Sequence, residues 1–150
     1  MANTYTSLTY HVVFSTKNRE PWLAVPIGQR LWPFLGGIAR ENGMKALEIG
    51  GVGDHVHVLI SIPPIVPVSK AVQLLKGGSS HWLKSEFPNL SAFAWQDGYG
   101  AFTVSESQVE AVRAYIRQQA EHHRTRTFAE EYRSFLERHH VEFDERYWLG

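Results

Sequence analysis

Residues 54–62 read Asp-His-Val-His-Val-Leu-Ile-Ser-Ile and stop at Pro63-Pro64. The run is short, β-branched and closed by prolines, which is the signature of a strand rather than a helix. On a strand, residues two apart point to the same side. His55 and His57 therefore project together from one face, with Val56 and Val58 on the other. Two imidazoles so placed can hold one divalent metal ion. Taken alone, the same pattern also suits two surface histidines on a half-exposed sheet.

The segments on either side suggest a frame for this strand. Thr6 to Ser15 alternates and is rich in Thr, Tyr, Val and Phe, so it reads as a strand. Pro26 to Asn42 has helical spacing at Ile27, Leu31, Trp32, Leu35 and Ile38, with Gly43 in the place of a capping glycine. Lys45 to Ile49 is a second strand, and Gly50, Gly51 and Gly53 form a turn before His55. Ser69 to Phe87 is a second helix, in which Gly77-Gly78 marks a bend or a close approach. Pro88 to Gly100 is irregular, and Ala101 to Val104 is a short fourth strand. Ser105-x-x-Gln108 has the form of a capping box opening a helix to about His123. Thr127-x-x-Glu130 has the same form and opens a helix to about Arg138. His139 to Gly150 shows no clear element. The order β-α-β-β-α-β predicts an α+β, ferredoxin-like (RRM-like) antiparallel sheet with helices on one face, plus C-terminal helices. Its first and third strands are then the central pair. Residues 1–150 are read as a single domain, with about 127–150 an acidic helical C-terminal extension.

Bulk properties narrow the partners. The chain has 150 residues, no cysteine and zero formal net charge. Thiolate metal sites and cysteine nucleophiles are thereby excluded. No stretch approaches the ~20 apolar residues of a membrane helix, and Met1 to Ser7 lacks the order of a signal peptide. A cytoplasmic location is expected. The neutral charge conceals an asymmetry. Residues 1–126 carry 12 Lys/Arg against 9 Asp/Glu, and residues 127–150 carry 3 against 6. A modestly basic body is thus balanced by an acidic tail, expected to face away from a polyanion or partly cover its site.

Further chemistry-bearing residues lie downstream. Tyr115 and Gln119 are four apart, so on a helix they share an edge of the face formed by Val109, Val112, Ile116 and Ala120. A tyrosine in such a place is most often a core-edge residue. His123, one turn beyond Gln119, could approach the same site, although His-His pairs at helix ends usually face solvent. Lys76, Gly77, Gly78, Ser79 and Ser80 offer a cation, pliant backbone and hydroxyls suited to phosphate contacts. Trp82, Trp95 and Tyr99 suit base stacking or the core.

Together these segments resemble the IS200/IS605-family single-tyrosine (Y1) HUH transposases. The resemblance is carried by Tyr10-His-Val-Val-Phe-Ser-Thr-Lys17, Asp54-His-Val-His-Val-Leu59, Lys76-Gly-Gly-Ser-Ser80, Trp95 through Ser107, and Tyr115-Ile-Arg-Gln-Gln119 with Glu121-His-His123. It implies a homodimer that cleaves and rejoins single-stranded DNA through a 5′-phosphotyrosine, recognising hairpin DNA at element ends. It also implies Tyr115 as nucleophile, His55, His57 and Gln119 as metal ligands, and Mg²⁺ (or Mn²⁺) as cofactor. In the family the tyrosine often serves the histidines of the partner chain. By intrinsic affinity alone, two imidazoles and an amide oxygen would prefer Zn²⁺ or Ni²⁺, whereas availability and an open coordination sphere favour Mg²⁺ or Mn²⁺. The expected DNA contacts are Lys70, Lys76, Ser79, Ser80, Lys84, Arg113 and Arg117. The alternative is a domesticated binder of hairpin DNA or RNA that regulates without moving an element. A metal-dependent hydrolase of a small substrate is the third reading, and it would not need Tyr115.

Overall fold

The computed structural model describes residues 3–150; Met1 and Ala2, part of the stretch read for a signal peptide, lie outside the described residues. Four strands form one antiparallel sheet: β1 (Thr9–Ser15), β2 (Lys45–Val52), β3 (His55–Ser61) and β4 (Gly100–Thr103), in the order β2-β3-β1-β4. β1 and β3 are central, as the ferredoxin-like plan requires. Their register sets Val13 opposite His57 and Ser15 opposite His55. Among the described residues, no helix is long and apolar enough to cross a membrane.

Both faces of the central strands are covered, and strand alternation sorts their side chains between two layers. Val12, Phe14, Val56, Val58 and Ile60 point into the larger core, with α1 (Ile27–Glu41) and α2 (Val68–Glu86). Val13, Leu59 and Phe102 point the other way. There they meet α3 (Val109–Arg117) and α5 (Phe128–Arg138), joined by the short α4 (Gln119–His122). The helices that follow the ferredoxin-like unit thus close the face that its own two helices leave open.

Three local expectations change. Gly50 and Gly51 belong to β2, and the turn is confined to Gly53 and Asp54. Ile116 explains Gly50: a Cβ there would lie 2.9 Å from the Ile116 carbonyl oxygen, so only glycine lets α3 sit this close to β2. α2 runs unbroken through Gly77-Gly78. Gly78 marks a close approach instead, since its Cβ would meet Ile38 Cδ1 at 2.9 Å. The helix expected from Ser105 to His123 is interrupted. Ser105 forms no side-chain cap, a 3₁₀ turn (Glu106–Gln108) precedes α3, and Gln118 leaves helical geometry (φ −101°, ψ 23°). The second capping box is present, with Thr127 and Glu130 exchanging hydrogen bonds at the start of α5.

Substituting Gly50 by valine should separate β2 from α3 and cost about 1–3 kcal/mol, seen by calorimetry as a fall in Tm of roughly 2–12 °C. Gly36 is the contrast. It lies inside α1, and its Cβ would meet only Ile49 Cδ1 at 3.8 Å. Gly36→Ala should therefore raise stability by about 0.5–1 kcal/mol through helix propensity.

Candidate active site

His55 and His57 leave β3 on the face covered by α3, α4 and α5, and both are fully buried. The surface-histidine reading of this pair is thereby excluded. Glu131, from the first turn of α5 and 1% exposed, reaches between them. Its Oε1 lies 3.0 Å from His57 Nε2, 3.1 Å from His123 Nε2 and 3.4 Å from His55 Nε2. Gln119, also buried, places Oε1 2.9 Å from His55 Nε2 and donates its amide to Glu131 Oε2 at 3.2 Å. Tyr115 donates its hydroxyl hydrogen to the same Oε2. Its ring lies 5.9 Å from that of His57 and stacks on His122 at 4.3 Å. Tyr115, Gln119 and both histidines thus meet within one chain, despite the break at Gln118.

The far nitrogens of the imidazoles are also held. His55 Nδ1 lies 2.7 Å from Asp54 Oδ1, His123 Nδ1 lies 2.8 Å from the Arg126 carbonyl, and His57 Nδ1 lies 2.7 Å from His11 Nε2. Metal-bound histidines characteristically have such outer partners, which fix ring orientation and tautomer. The ligand atoms of His55, His57, His123 and Glu131 lie within 4.8 Å of one another. Three imidazoles and a carboxylate converging in a buried pocket can hold a divalent metal ion.

Burial and charge oppose each other here. Burial alone would keep His55 neutral, but hydrogen bonds to Asp54 and Glu131, with the charges of both, raise its pKa to about 9. Burial wins at His57, which falls to about 4 despite Glu131. His11 is likewise lowered, by burial and then by His57. Burial would protonate Glu131, yet the hydrogen bonds from His123, His55 and His57 hold it far below the usual carboxylate range. Tyr115 is pushed well above 10, first by burial and then by Glu131.

The sheet divides the expected DNA contacts. Lys70, Lys76, Ser79, Ser80 and Lys84 all belong to α2, on the face away from the histidines. Ser79 is fully buried, donates to the Leu75 carbonyl and accepts from Trp95 Nε1, so it is not placed to touch DNA. Lys76 is spent on the carbonyls of Gln96 (2.6 Å) and Gly98 (2.7 Å). Trp95 packs on Phe14 and Phe93, and Trp82 stacks on Phe34; of the three aromatics, Tyr99 is the exposed one. Arg113 and Arg117, on α3, both reach Glu48 of β2. Beside the buried cluster opens a cleft of about 530 Å³ lined by Arg19, Asp54, His123, Arg126, Thr127 and Phe128, among others.

Two members of the site were missed in the sequence. His11 alternates with Val13 on a central strand, which is the position of an inward-facing residue. Glu131 falls on the apolar stripe of α5 between Phe128 and Phe135, whereas a solvent-facing acid would avoid it. Both signals were readable, but neither residue was singled out, although His11 lies within the Tyr10–Lys17 segment and Glu131 follows the Thr127–Glu130 capping box.

Comparison with known proteins identifies the family. The sequence model of the family described as "Transposase IS200 like" matches residues 4–119. The chain is 30% identical over 117 residues to the ISDra2 transposase TnpA of Deinococcus radiodurans, covering 75% of this chain and 84% of the relative. It is 29% identical over 126 residues to the transposase for insertion sequence element IS200 of Salmonella typhimurium, covering 81% and 82%. A crystal structure of a candidate transposase from Deinococcus radiodurans superposes with a TM-score of 0.67 at 29% identity, over 79% of this chain and 95% of that one. The fold is shared at 16% identity with a REP-associated tyrosine transposase bound to a REP hairpin, with a TM-score of 0.61 over 82% and 73% of the two chains. Matched over most of its length by the family's sequence pattern and by its curated relatives, the chain belongs to the IS200-like single-tyrosine transposases, enzymes of DNA cleavage and strand transfer.

Proposed function

We propose that the chain cleaves and rejoins single-stranded DNA through a covalent bond to Tyr115, at element ends marked by hairpins. The observation that carries this reading is the Tyr115 hydroxyl, which points at a buried carboxylate within a cluster of metal-binding imidazoles. A hydrolytic nuclease has no use for a tyrosine so placed. Tyr115 Oη forms a bond to the scissile phosphorus, and the bond from phosphorus to the 3′ oxygen breaks. The products are a 5′-phosphotyrosine and a free 3′-hydroxyl. Because the phosphodiester is exchanged rather than hydrolysed, another 3′-hydroxyl can reverse the step without ATP.

A phenol is a weak nucleophile at neutral pH and needs a proton acceptor. Glu131 Oε2 already accepts the Tyr115 hydrogen bond, and its proximity to three imidazoles keeps it ionised. We assign it as the acceptor that orients the phenol; the proton lost as Oη bonds to phosphorus is balanced by the one the departing 3′ oxygen takes up. His55, His57 and Gln119 would hold a divalent ion, read as Mg²⁺ or Mn²⁺, which when bound would polarise the phosphate and offset developing charge. His11 and Asp54 orient the two imidazoles from behind. Arg19 and Arg126 in the neighbouring cleft are suited to guide the phosphate backbone. Arg113 and Arg117 lie on the tyrosine helix, each paired with Glu48, and exposed Lys70 and Lys84 would touch only DNA that wraps to the opposite face. The chain is read as one domain, acting as a homodimer in the cytoplasm, with 127–150 completing the active-site face.

Incubation of the protein with single-stranded hairpin DNA from its own genomic flanks and Mn²⁺ should give a covalent adduct on a denaturing gel. Tyr115→Phe should give none, and EDTA should suppress the wild-type adduct; an equal yield from Tyr115→Phe would refute the mechanism. With metal saturating, the cleavage rate should be nearly flat from pH 7 to 9. Tyr115 is raised above 10 and stays protonated across that range, whereas Glu131 is lowered and stays ionised, so neither titrates. A tenfold rise per pH unit would instead mean that a preformed phenolate attacks. Arg126→Ala should weaken DNA binding and reduce the slope of log affinity against log salt by about 1. Lys76→Ala should leave that slope unchanged.

A further inference from the structure

We propose that a groove between α3 and α5 is a nucleobase subsite, which takes the base of an unpaired nucleotide beside the phosphate attacked by Tyr115 and prefers a purine. The inference deepens the proposed function and rests on it for the identity of the substrate. Phe135, Arg138 and His139, which form one side of the groove, all follow residues 4–119, the part matched by the family.

Two adjoining cavities of about 240 and 210 Å³ make up the groove, and His11, Gln108, Val112, Phe135 and Arg138 line both. Tyr115 lines the inner cavity, so the groove ends at the nucleophile. Phe102 and His139 line the outer one, beside β4. The groove is separate from the cleft of about 530 Å³. Thr127 and Phe128, where α5 begins, line that cleft, whereas Phe135 and Arg138, near its end, line the groove, and Glu131 lies between them along the helix. A single strand laid across the catalytic cluster therefore meets a recess on either side of it.

The walls suit a base. Phe135, Phe102 and His139 form a ladder of nearly parallel rings: Phe102 lies 5.6 Å from Phe135 at 21° and 4.5 Å from His139 at 30°. His139 is the exposed end of the ladder, and its Nδ1 donates to the Phe135 carbonyl at 2.9 Å, which fixes the ring. Unpaired bases stack on such flat surfaces. The Arg138 guanidinium lies 5.5 Å from the centre of the Phe135 ring and offers a second plane for stacking. Gln108 and Arg138 are both exposed, and among the described residues neither side chain has a hydrogen-bond or ion-pair partner. Other arginines of these two helices are paired, Arg113 and Arg117 with Glu48 and Arg133 with Glu145. A free amide and a free guanidinium at one groove are the groups that pair bidentately with the edges of adenine and guanine. A phosphate alone would use the cation and leave the amide and the rings idle.

The test is an abasic scan. Full-length Tyr115→Phe protein is titrated by fluorescence anisotropy with hairpin DNA from its genomic flanks, each unpaired nucleotide being replaced in turn by an abasic one. One position should weaken binding about tenfold, and there a purine should bind about fivefold or more tightly than a pyrimidine. Gln108→Ala and Arg138→Ala, introduced together, should weaken binding of intact DNA about tenfold and leave binding of that abasic DNA within about twofold of the parent. Both residues are exposed, and circular dichroism checks that the variant folds. Equal weakening on intact and abasic DNA would mean contact with the phosphate alone and would overturn the subsite, as would a scan with no sensitive position. Equal affinity for purine and pyrimidine would overturn the preference. The sensitive nucleotide should adjoin the bond that wild-type protein cleaves, and one lying elsewhere would overturn the placement. A wild-type protein that forms no covalent adduct would refute the cleavage chemistry, while the affinities would still judge the groove.

Discussion

One carboxylate, at Glu131, lies inside an apolar layer with almost no exposure, and the active-site face is arranged to answer its charge. Taking a carboxylate out of water costs several kcal/mol unless partners compensate. The compensation comes from β3 through His55 and His57, from the α4 region through Gln119 and His123, and from α3 through the Tyr115 hydroxyl. Three segments of chain therefore converge on one side chain of a fourth. Phe128, Tyr132, Phe135 and Leu136 seal α5 against Val13 and Phe102, excluding the solvent that would weaken these contacts. The acidic extension is for this reason part of the active-site face, and of the two dispositions expected for the tail, covering the site is the one that α5 adopts.

The sheet was legible because its cues are local. Alternation in residues 54–62, the prolines after Ile62 and the apolar spacing of α1 and α2 each depend on near neighbours. The histidine pair was legible for the same reason, since a two-residue period fixes which side chains share a face. What escaped were features decided at a distance. The break at Gln118 follows no proline or glycine. Gly50 and Gly51 look like turn residues until Ile116 is seen to press against β2. His11 and Glu131 gain their meaning from strands and helices far along the chain, 46 and 74 residues from His57.

The expected DNA contacts do not gather as His55, His57, Tyr115 and Gln119 do, because cations and hydroxyls carry no directional cue in sequence. Lys76 and Ser79 lie close to the right motifs, yet both are committed to internal hydrogen bonds. Arg126 lines the cleft beside the imidazoles. The sheet is the dividing wall. The α1 and α2 layer backs the sheet, and the cluster of His55, His57, His123 and Glu131 lies on the other side.

The capping box at Thr127 has a consequence for how the chain can vary in length. It fixes where α5 begins, four residues before Glu131. Each residue of an α-helix advances about 100° around the axis. One residue inserted between Glu130 and Glu131 would swing the Glu131 carboxylate out of the buried cluster. The connection from Arg124 to Arg126 has no such phase to keep and carries only the tether from His123 to the Arg126 carbonyl. The short span from Thr127 to Glu131 is thus a counted interval, in which a surface hydroxyl sets the angular position of a group deep in the protein.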